Sequence, residues 1–263
     1  IQWPATPLKP KGTARLFEDK LFFTPSKKAN FVVINPQLPQ CHTPSDDFPL
    51  TLNTGRIRDQ WHTMSRTART STLLSHISQP FVSMHSNTAS SYGLVDGDLA
   101  QVSTQRGSIT VVVAVDVGME EGQIFVPIHW NDQYASSARV DSLVAPITDV
   151  ISGQPEFKYS RAAMVKVDTP IWATLVSHNK LDCTKFINWS AAPLDQGQGF
   201  IYQIAIQSNF DWPDFIAAKR MTEQGPAQAY EQFFDRQNGD QRLICFSTKR
   251  IEFAVFSHQD RKM

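Results

Sequence analysis

The sequence predicts a mainly β protein with an α+β portion: a closed barrel over residues 46–168, then a small α+β domain over 169–263. Three observations predict it. The run ITVVVAVDV at 109–117 is too continuously apolar for a strand with one solvated face, so burial on both faces, as in a closed barrel, is expected. From 46 to about 168 the texture is strand, turn, short helix and strand, with turn residues at each change. After about 169 it changes: Phe200, Tyr202, Ile204 and Ile206 alternate onto one strand face, helical signals follow, and two strands end the chain.

Residues 1–45 are proline-rich and form a lead-in arm, with RLFEDKLFF and FVVIN as edge strands, the place where proline is tolerated in a ladder. FPLTLNT is a strand that runs directly into the polar stretch TGRIRDQWHTMSRT, residues 54–67. TSTLLSHI then sets Leu73, Leu74 and Ile77 on one helical face, so the polar stretch is a loop between a strand end and a helix. Further on, Asn87 or Thr88 caps a short helix ended by Gly93. Asp96-Gly97-Asp98 is turn chemistry, and Arg106-Gly107 joins two strands as a hairpin. In the tail, Asp211 caps a helix with Pro213 in its first turn, AQAYEQFF has apolar residues at helical spacing, and Asn238-Gly239 ends it. RLICFST and RIEFAVFS are the last strands, joined around Lys249.

Lys plus Arg and Asp plus Glu each number 25, so no net positive field exists to hold nucleic acid or an anionic membrane surface. No apolar run approaches the roughly 20 residues of a membrane-spanning helix, and the N-terminus lacks the plan of a secretory signal. The expected setting is a soluble, cytoplasmic one. Cys41, Cys183 and Cys245 are odd in number and widely spaced, which argues for reduced thiols and against a disulfide framework or a CxxC metal site. A chain that begins at Ile1 is expected to be a fragment or a processed product.

Three clusters could carry chemistry. In the first, Thr54, Gly55 and Arg56 stand at a strand end: glycine permits close backbone approach, and hydroxyl, N–H and guanidinium groups suit phosphate oxygens. Gln60, Trp61, His62 and Thr63 follow. Trp61 can wall a flat heterocycle while Gln60 and His62 supply in-plane hydrogen bonds; a core tryptophan and a structural histidine are equally open readings. The second cluster holds Ile128, His129, Trp130, Asn131, Asp141 and Ser142. The Asp141 carboxylate could accept from the N1 and N2 hydrogens of a guanine, or could be a loop acid facing water. In the third, Gln154 and Lys158 could reach an anionic ligand, or sit on a solvated turn. The chain has no GxSxG, no Walker lysine loop, no HExxH and no paired-carboxylate signature, so no complete catalytic centre is expected.

In this order, LNTGRIRDQWHTMSRTARTSTLLSH, PFVSMH, GLVDGDLAQVSTQRGSI, GQIFVPIHWND, SSARVDSL and SGQPEFK resemble the C-terminal molybdopterin-dinucleotide-binding domain of the DMSO reductase superfamily. The RDQWHTMSRT form is most similar to assimilatory nitrate reductases. The lead-in and the tail resemble the segments that flank that domain. The resemblance implies a six-stranded double-psi β-barrel that holds one molybdopterin guanine dinucleotide of the Mo-bis-MGD cofactor, by which the intact enzyme reduces nitrate to nitrite. It assigns cofactor contacts to Thr54, Gly55, Arg56, Gln60, Trp61, His62, Thr63, Ile128, His129, Trp130, Asp141 and Lys158, with no catalytic residue and no metal ligand.

Three positions depart from the family pattern. Asp141 stands where asparagine is more usual, Ser65 replaces a threonine, and HSNTAS replaces HPxDA, with Thr88 available to cap the helix. Cysteine motifs for iron-sulfur clusters and the molybdenum-ligating loop are absent, so this chain alone is expected to be inactive. The implied partners are the rest of the molybdenum subunit and, through it, a ferredoxin or flavoprotein donor. Two alternatives stay open: the same portion of a formate dehydrogenase or other oxotransferase, and a stand-alone, non-catalytic nucleotide-binding barrel.

Overall fold

A computed structural model describes residues 3–33, 35, 37–40, 43–150, 152–168, 171–212, 214–215, 229–235, 240–246 and 251–258. The chain divides into two compact units, Ile1–Leu38 and Pro39–Met263. The first unit has no strand among its described residues. Its one bridge among the described residues joins Thr6 and Lys9, and the described residues of the segments expected as edge strands are turns, bends or without regular structure. Proline along the arm removes ladder donors, and Phe17 instead stacks on Phe22 at 4.7 Å.

The second unit opens with six strands: β1 Leu50–Gly55, β2 Phe81–Met84, β3 Leu99–Thr104, β4 Gly107–Val115, β5 Gln123–Pro127 and β6 Ser160–Val167. They close into a barrel in the order β1-β5-β2-β4-β3-β6. β1 pairs parallel with β5 and β2 with β4, and the other pairings are antiparallel. Odd-numbered strands therefore all run toward one end of the barrel, and even-numbered strands start there. Helix α1, Ser71–His76, lies just before β2 at that end, and α2, Ser86–Ser91, follows β2 at the other.

Alternation along β1 explains the filling: Leu50, Leu52 and Thr54 are buried while the residues between them are half-exposed. In β4, Val111, Val112 and Val113 are all buried. Val111 and Val113 belong to the barrel core. Val112 points the other way and is covered by a second sheet, clustering with Leu99, Trp172 and Ala205. Continuous burial of this strand is thus a property of two layers, not of closure alone.

The cap of α2 differs from the expected one. His85 is the N-cap, its Nδ1 accepting the Asn87 N–H at 3.1 Å. Thr88 is inside the helix and buried, and its hydroxyl accepts the Gly122 N–H at 3.0 Å. An imidazole nitrogen two positions before Asn87 reaches its orphan amide, which leaves Thr88 for a tertiary bond. Thr88→Val keeps the shape and removes that acceptor, so chemical denaturation should show a loss of about 1–2 kcal/mol.

Strands β7 Ile171–Ser177, β8 Asn188–Pro193, β9 Phe200–Ile206, β10 Ala229–Phe234, β11 Gln241–Phe246 and β12 Ile251–His258 form the second sheet, in the order β10-β11-β12-β7-β9-β8. Segment 229–234, expected as helix, is a strand that pairs antiparallel with β11, Glu231 opposite Ile244 and Phe233 opposite Arg242. Asp211 does cap a helical turn, its carboxylate accepting the Asp214 N–H at 2.8 Å. Pro213, Asn238, Gly239 and Lys249 lie outside the described residues, as does Cys41. Cys183 and Cys245 are buried in the core of this sheet.

β8 joins the sheet to the barrel. Ala191 N–H donates to the Tyr134 carbonyl at 2.8 Å, Ser136 N–H to the Trp189 carbonyl at 2.9 Å, and the Asn188 amide to the Thr110 carbonyl at 3.0 Å. Ala192 enters the barrel core. Among the described residues no helix is long and apolar enough to cross a membrane.

Candidate functional site

Because β1 and β5 are parallel neighbours, with Gly55 opposite Pro127, the chain leaves both strands at the same end of the barrel. Pairing continues one residue further: the Ile128 N–H donates to the Gly55 carbonyl at 3.0 Å. This brings the first cluster and Ile128–Trp130 side by side. The third cluster arrives through β6. Thr54, buried at the end of β1, donates its hydroxyl to the Phe157 carbonyl at 2.9 Å, and Lys158 Nζ donates to the Thr54 carbonyl. A Cβ on Gly55 would stand 3.1 Å from Phe125 Cε2 and 3.2 Å from Lys158 Nζ, so glycine is what lets this corner close.

Three residues hold the loop from within. His129 is fully buried, its Nε2 2.9 Å from the Ile57 nitrogen and its Nδ1 2.6 Å from the His62 carbonyl oxygen. An N–H must meet an acceptor and a carbonyl a donor, so the ring is the neutral Nδ1–H tautomer. Burial pushes its pKa below the ordinary histidine value, the His62 carbonyl opposes, and the Arg56 and His62 charges add to the lowering. Asn131 donates Nδ2 to the Thr63 carbonyl at 2.9 Å. Gln60 is buried and used at both ends, donating to the Leu73 carbonyl at 3.1 Å and accepting from the Thr67 hydroxyl at 2.6 Å. So tied, the loop places His62 and Met64 at φ of 44° and 61°, a left-handed conformation that side chains other than glycine adopt only when surroundings impose it.

The outer side presents Arg56, Trp61, His62, Thr63 and Lys158, all exposed. The Arg56 guanidinium carbon lies 5.1 Å from the Trp61 ring centroid, and Trp61 meets His62 edge-on at 4.6 Å. Trp61 is 54% exposed, a large apolar ring left in water beside a guanidinium. That combination is ready to stack a planar group and to bind an anion. Residues 54–76 carry four arginines against one acid, Asp59, in a chain whose charges balance as a whole. Asp59 is engaged by Arg58 at 2.9 Å and His76 at 2.6 Å, which leaves Arg56, Arg66 and Arg69 without an ion pair among the described residues.

The remaining candidates lie elsewhere. Trp130 is buried in the barrel core, and its Nε1 has no hydrogen-bond partner among the described residues. Asp141 sits in a 3-10 turn, Val140–Leu143, packed against β4, which the strand order sets three places from β1. Desolvation pushes its carboxyl pKa up and Arg139 opposes, although the residue reaches solvent. Gln154 is exposed, and its backbone carbonyl accepts the Asp149 N–H. Two clefts lie outside the loop. One, of about 440 Å³, lies between α1 and β8–β9; the other, of about 390 Å³, lies beside the β3–β4 hairpin, and no candidate residue lines either. Asn131 is the residue whose structural part was not readable, since nothing local marks a side chain aimed at a backbone carbonyl 68 positions earlier.

A closed barrel whose parallel strand ends project a basic, aromatic loop is a module for an anionic ligand with a planar ring. Residues 50–161 match the family model described as the molydopterin dinucleotide binding domain. Nitrate reductase of Klebsiella oxytoca is 39% identical over 163 residues, 62% of this chain and 19% of that protein. The assimilatory nitrate reductase catalytic subunit of Bacillus subtilis (strain 168) is 31% identical over 169 residues, 64% and 23% of the two chains. An F420-dependent formate dehydrogenase subunit alpha of Methanocaldococcus jannaschii is 30% identical over 146 residues, 54% and 21%. The chain thus spans about a fifth of the curated relatives it matches.

Proposed function

We propose that Thr54, Gly55, Arg56, Trp61, His62, Thr63, Ile128 and Lys158 hold one dinucleotide of a molybdenum bis(molybdopterin guanine dinucleotide) cofactor, with Gln60, His129 and Trp130 buried behind them, and that the chain is the C-terminal part of an assimilatory nitrate reductase. The observation that carries this is the convergence of Arg56, Trp61 and Lys158 at the paired ends of β1 and β5. The residues fit such a group. Gly55 has no Cβ to crowd Phe125 and Lys158, so its backbone stays open to close approach, and an exposed indole stands beside the Arg56 guanidinium. Arg56 and the backbone at Gly55 would take phosphate oxygens, Trp61 would wall a ring, and His62 and Thr63 would hydrogen-bond at its edge. Gln60 and His129 act on the loop itself. Asp141, across the mouth, would accept from a guanine. When bound, the cofactor supplies two-electron oxygen-atom transfer, here from nitrate to give nitrite.

In this reading the chain comprises an arm (1–45), the cofactor barrel (46–168) and a covering domain (169–263) within a longer cytoplasmic molybdenum subunit, with a ferredoxin or flavoprotein as donor. Arg56→Ala in the intact enzyme should lower molybdenum content about tenfold at unchanged protein yield, as expected for roughly 1.4 kcal/mol of lost charge-assisted bonding. Full molybdenum in that variant would sink the assignment. A second reading, formate oxidation, is favoured by the similarity to the M. jannaschii protein. Turnover of the intact enzyme with nitrate and with formate separates the two.

A further inference from the structure

We propose that His129 and Asn131 are positioning residues, which hold the backbone of 57–63 in its binding shape and do not themselves touch the ligand. The proposal rests on that loop being the binding face, whatever the ligand.

The geometry carries it. His129 has 0% exposure, so no ligand reaches it while the loop is closed, and both of its ring nitrogens are engaged by loop backbone, at Ile57 and at His62. Asn131 engages the next carbonyl, that of Thr63, and its Oδ1 is occupied by the Gln133 N–H at 2.9 Å. Three attachment points, Ile57, His62 and Thr63, thus come from one short segment at the end of β5. Trp61, which faces the ligand side, stands between the first two, and His62 is held at positive φ. Locally, only the turn bond from the Met64 N–H to the Trp61 carbonyl at 3.0 Å spans His62, and the attachments at His62 and Thr63 reinforce a left-handed conformation that a residue with a Cβ adopts at a cost. Asn131 has a further consequence: its bond carries the constraint one residue past His129, to Thr63, whose neighbour Met64 is also at positive φ and is buried in the core.

The latch is pH-sensitive. Nε2 can accept from Ile57 only while it is unprotonated; a second ring proton there would face an N–H. The charged and titratable groups that act on the ring are Arg56 and His62, both of which disfavour its protonation, and among the described residues no carboxylate pairs with it. The folded-state value lies below the unfolded one, so the folded chain binds fewer protons in the interval between them. The latch is therefore complete above the ordinary histidine value of about 6.5 and weakens as pH falls below it.

The test uses the full chain without cofactor, so it stands apart from the outcome with Arg56→Ala. Nitrogen-15 NMR of the imidazoles should show His129 as the Nδ1–H tautomer at pH 7.5. Amide exchange at Ile57 and through 60–64, corrected for its intrinsic pH dependence, should rise about tenfold by pH 5, while β3 and β4 stay protected. Asn131→Asp, which sets a carboxylate against the Thr63 carbonyl, should raise exchange at 62–65 at every pH and leave Ile57 protected. An Nε2–H tautomer, loop protection that does not change with pH, or an Asn131→Asp variant with wild-type exchange would each overturn the proposal.

Discussion

His129→Leu destabilises the folded chain by about 3 kcal/mol, read as a fall in melting temperature of roughly 6–12 °C for a chain of this size. Leucine fills much of the space but neither accepts nor donates. The Ile57 N–H and the His62 carbonyl, now bonded at 2.9 and 2.6 Å, lose their partners in the interior. Each such loss costs about 1–3 kcal/mol. His62→Gln, a change in the exposed imidazole beside it, should stay within about 0.5 kcal/mol of wild type, because no buried group depends on that side chain. Differential scanning calorimetry of the three proteins decides the matter; equal effects from both histidines would mean that the internal latch is not what holds this end of the barrel.

Gly55→Val in the intact enzyme reduces recovered molybdenum about tenfold or more while the melting temperature falls by only a few degrees. The new Cβ meets Phe125 at 3.1 Å and Lys158 Nζ at 3.2 Å, both tighter than ordinary contact, and the branched methyls add to the crowding. Lys158 gives way more easily than a half-buried phenylalanine, so its ammonium leaves the Thr54 carbonyl and the anion-binding corner opens. Overpacking costs about 1–3 kcal/mol, and 1.4 kcal/mol of it falling on the bound state is a factor of ten in occupancy. Gly93→Ala is the comparison. Gly93 has open space around it but φ of +64°, so that variant loses about 1 kcal/mol of stability and no molybdenum. Wild-type molybdenum content in Gly55→Val would remove the close approach at Gly55 from the argument.

Much of this was readable along the chain because it is local. The polar loop between a strand end and a helix was legible in residues 54–77, and the turn at Gly97 needed only turn chemistry, while the hairpin expected at Arg106-Gly107 turns one residue earlier, at Gln105-Arg106, with Gly107 already in β4. Arg56, Trp61 and Lys158 were legible as candidates, since a guanidinium or an indole carries its chemistry wherever it is placed, and all three are exposed.

Other elements were misread for one shared reason. AQAYEQFF fits a helical period, yet 229–234 is a strand, because pairing with β11 satisfies its backbone and the short apolar pattern suits either state. Thr88 is a good cap by type, but His85 reaches the orphan amide and Thr88 bonds Gly122 across the fold. Val112 is buried by Trp172 and Ala205, sixty or more residues later. His129 and Asn131 could be recognised as polar residues in a binding cluster, whereas their work as a latch depends on carbonyls 67 and 68 positions earlier. By itself the sequence determined which side chains could meet an anionic, ring-bearing ligand and which segments carry them. Only the tertiary structure decided which of those side chains face outward and which are consumed within, because a hydrogen bond depends on distance in space and the closed barrel alone sets that distance.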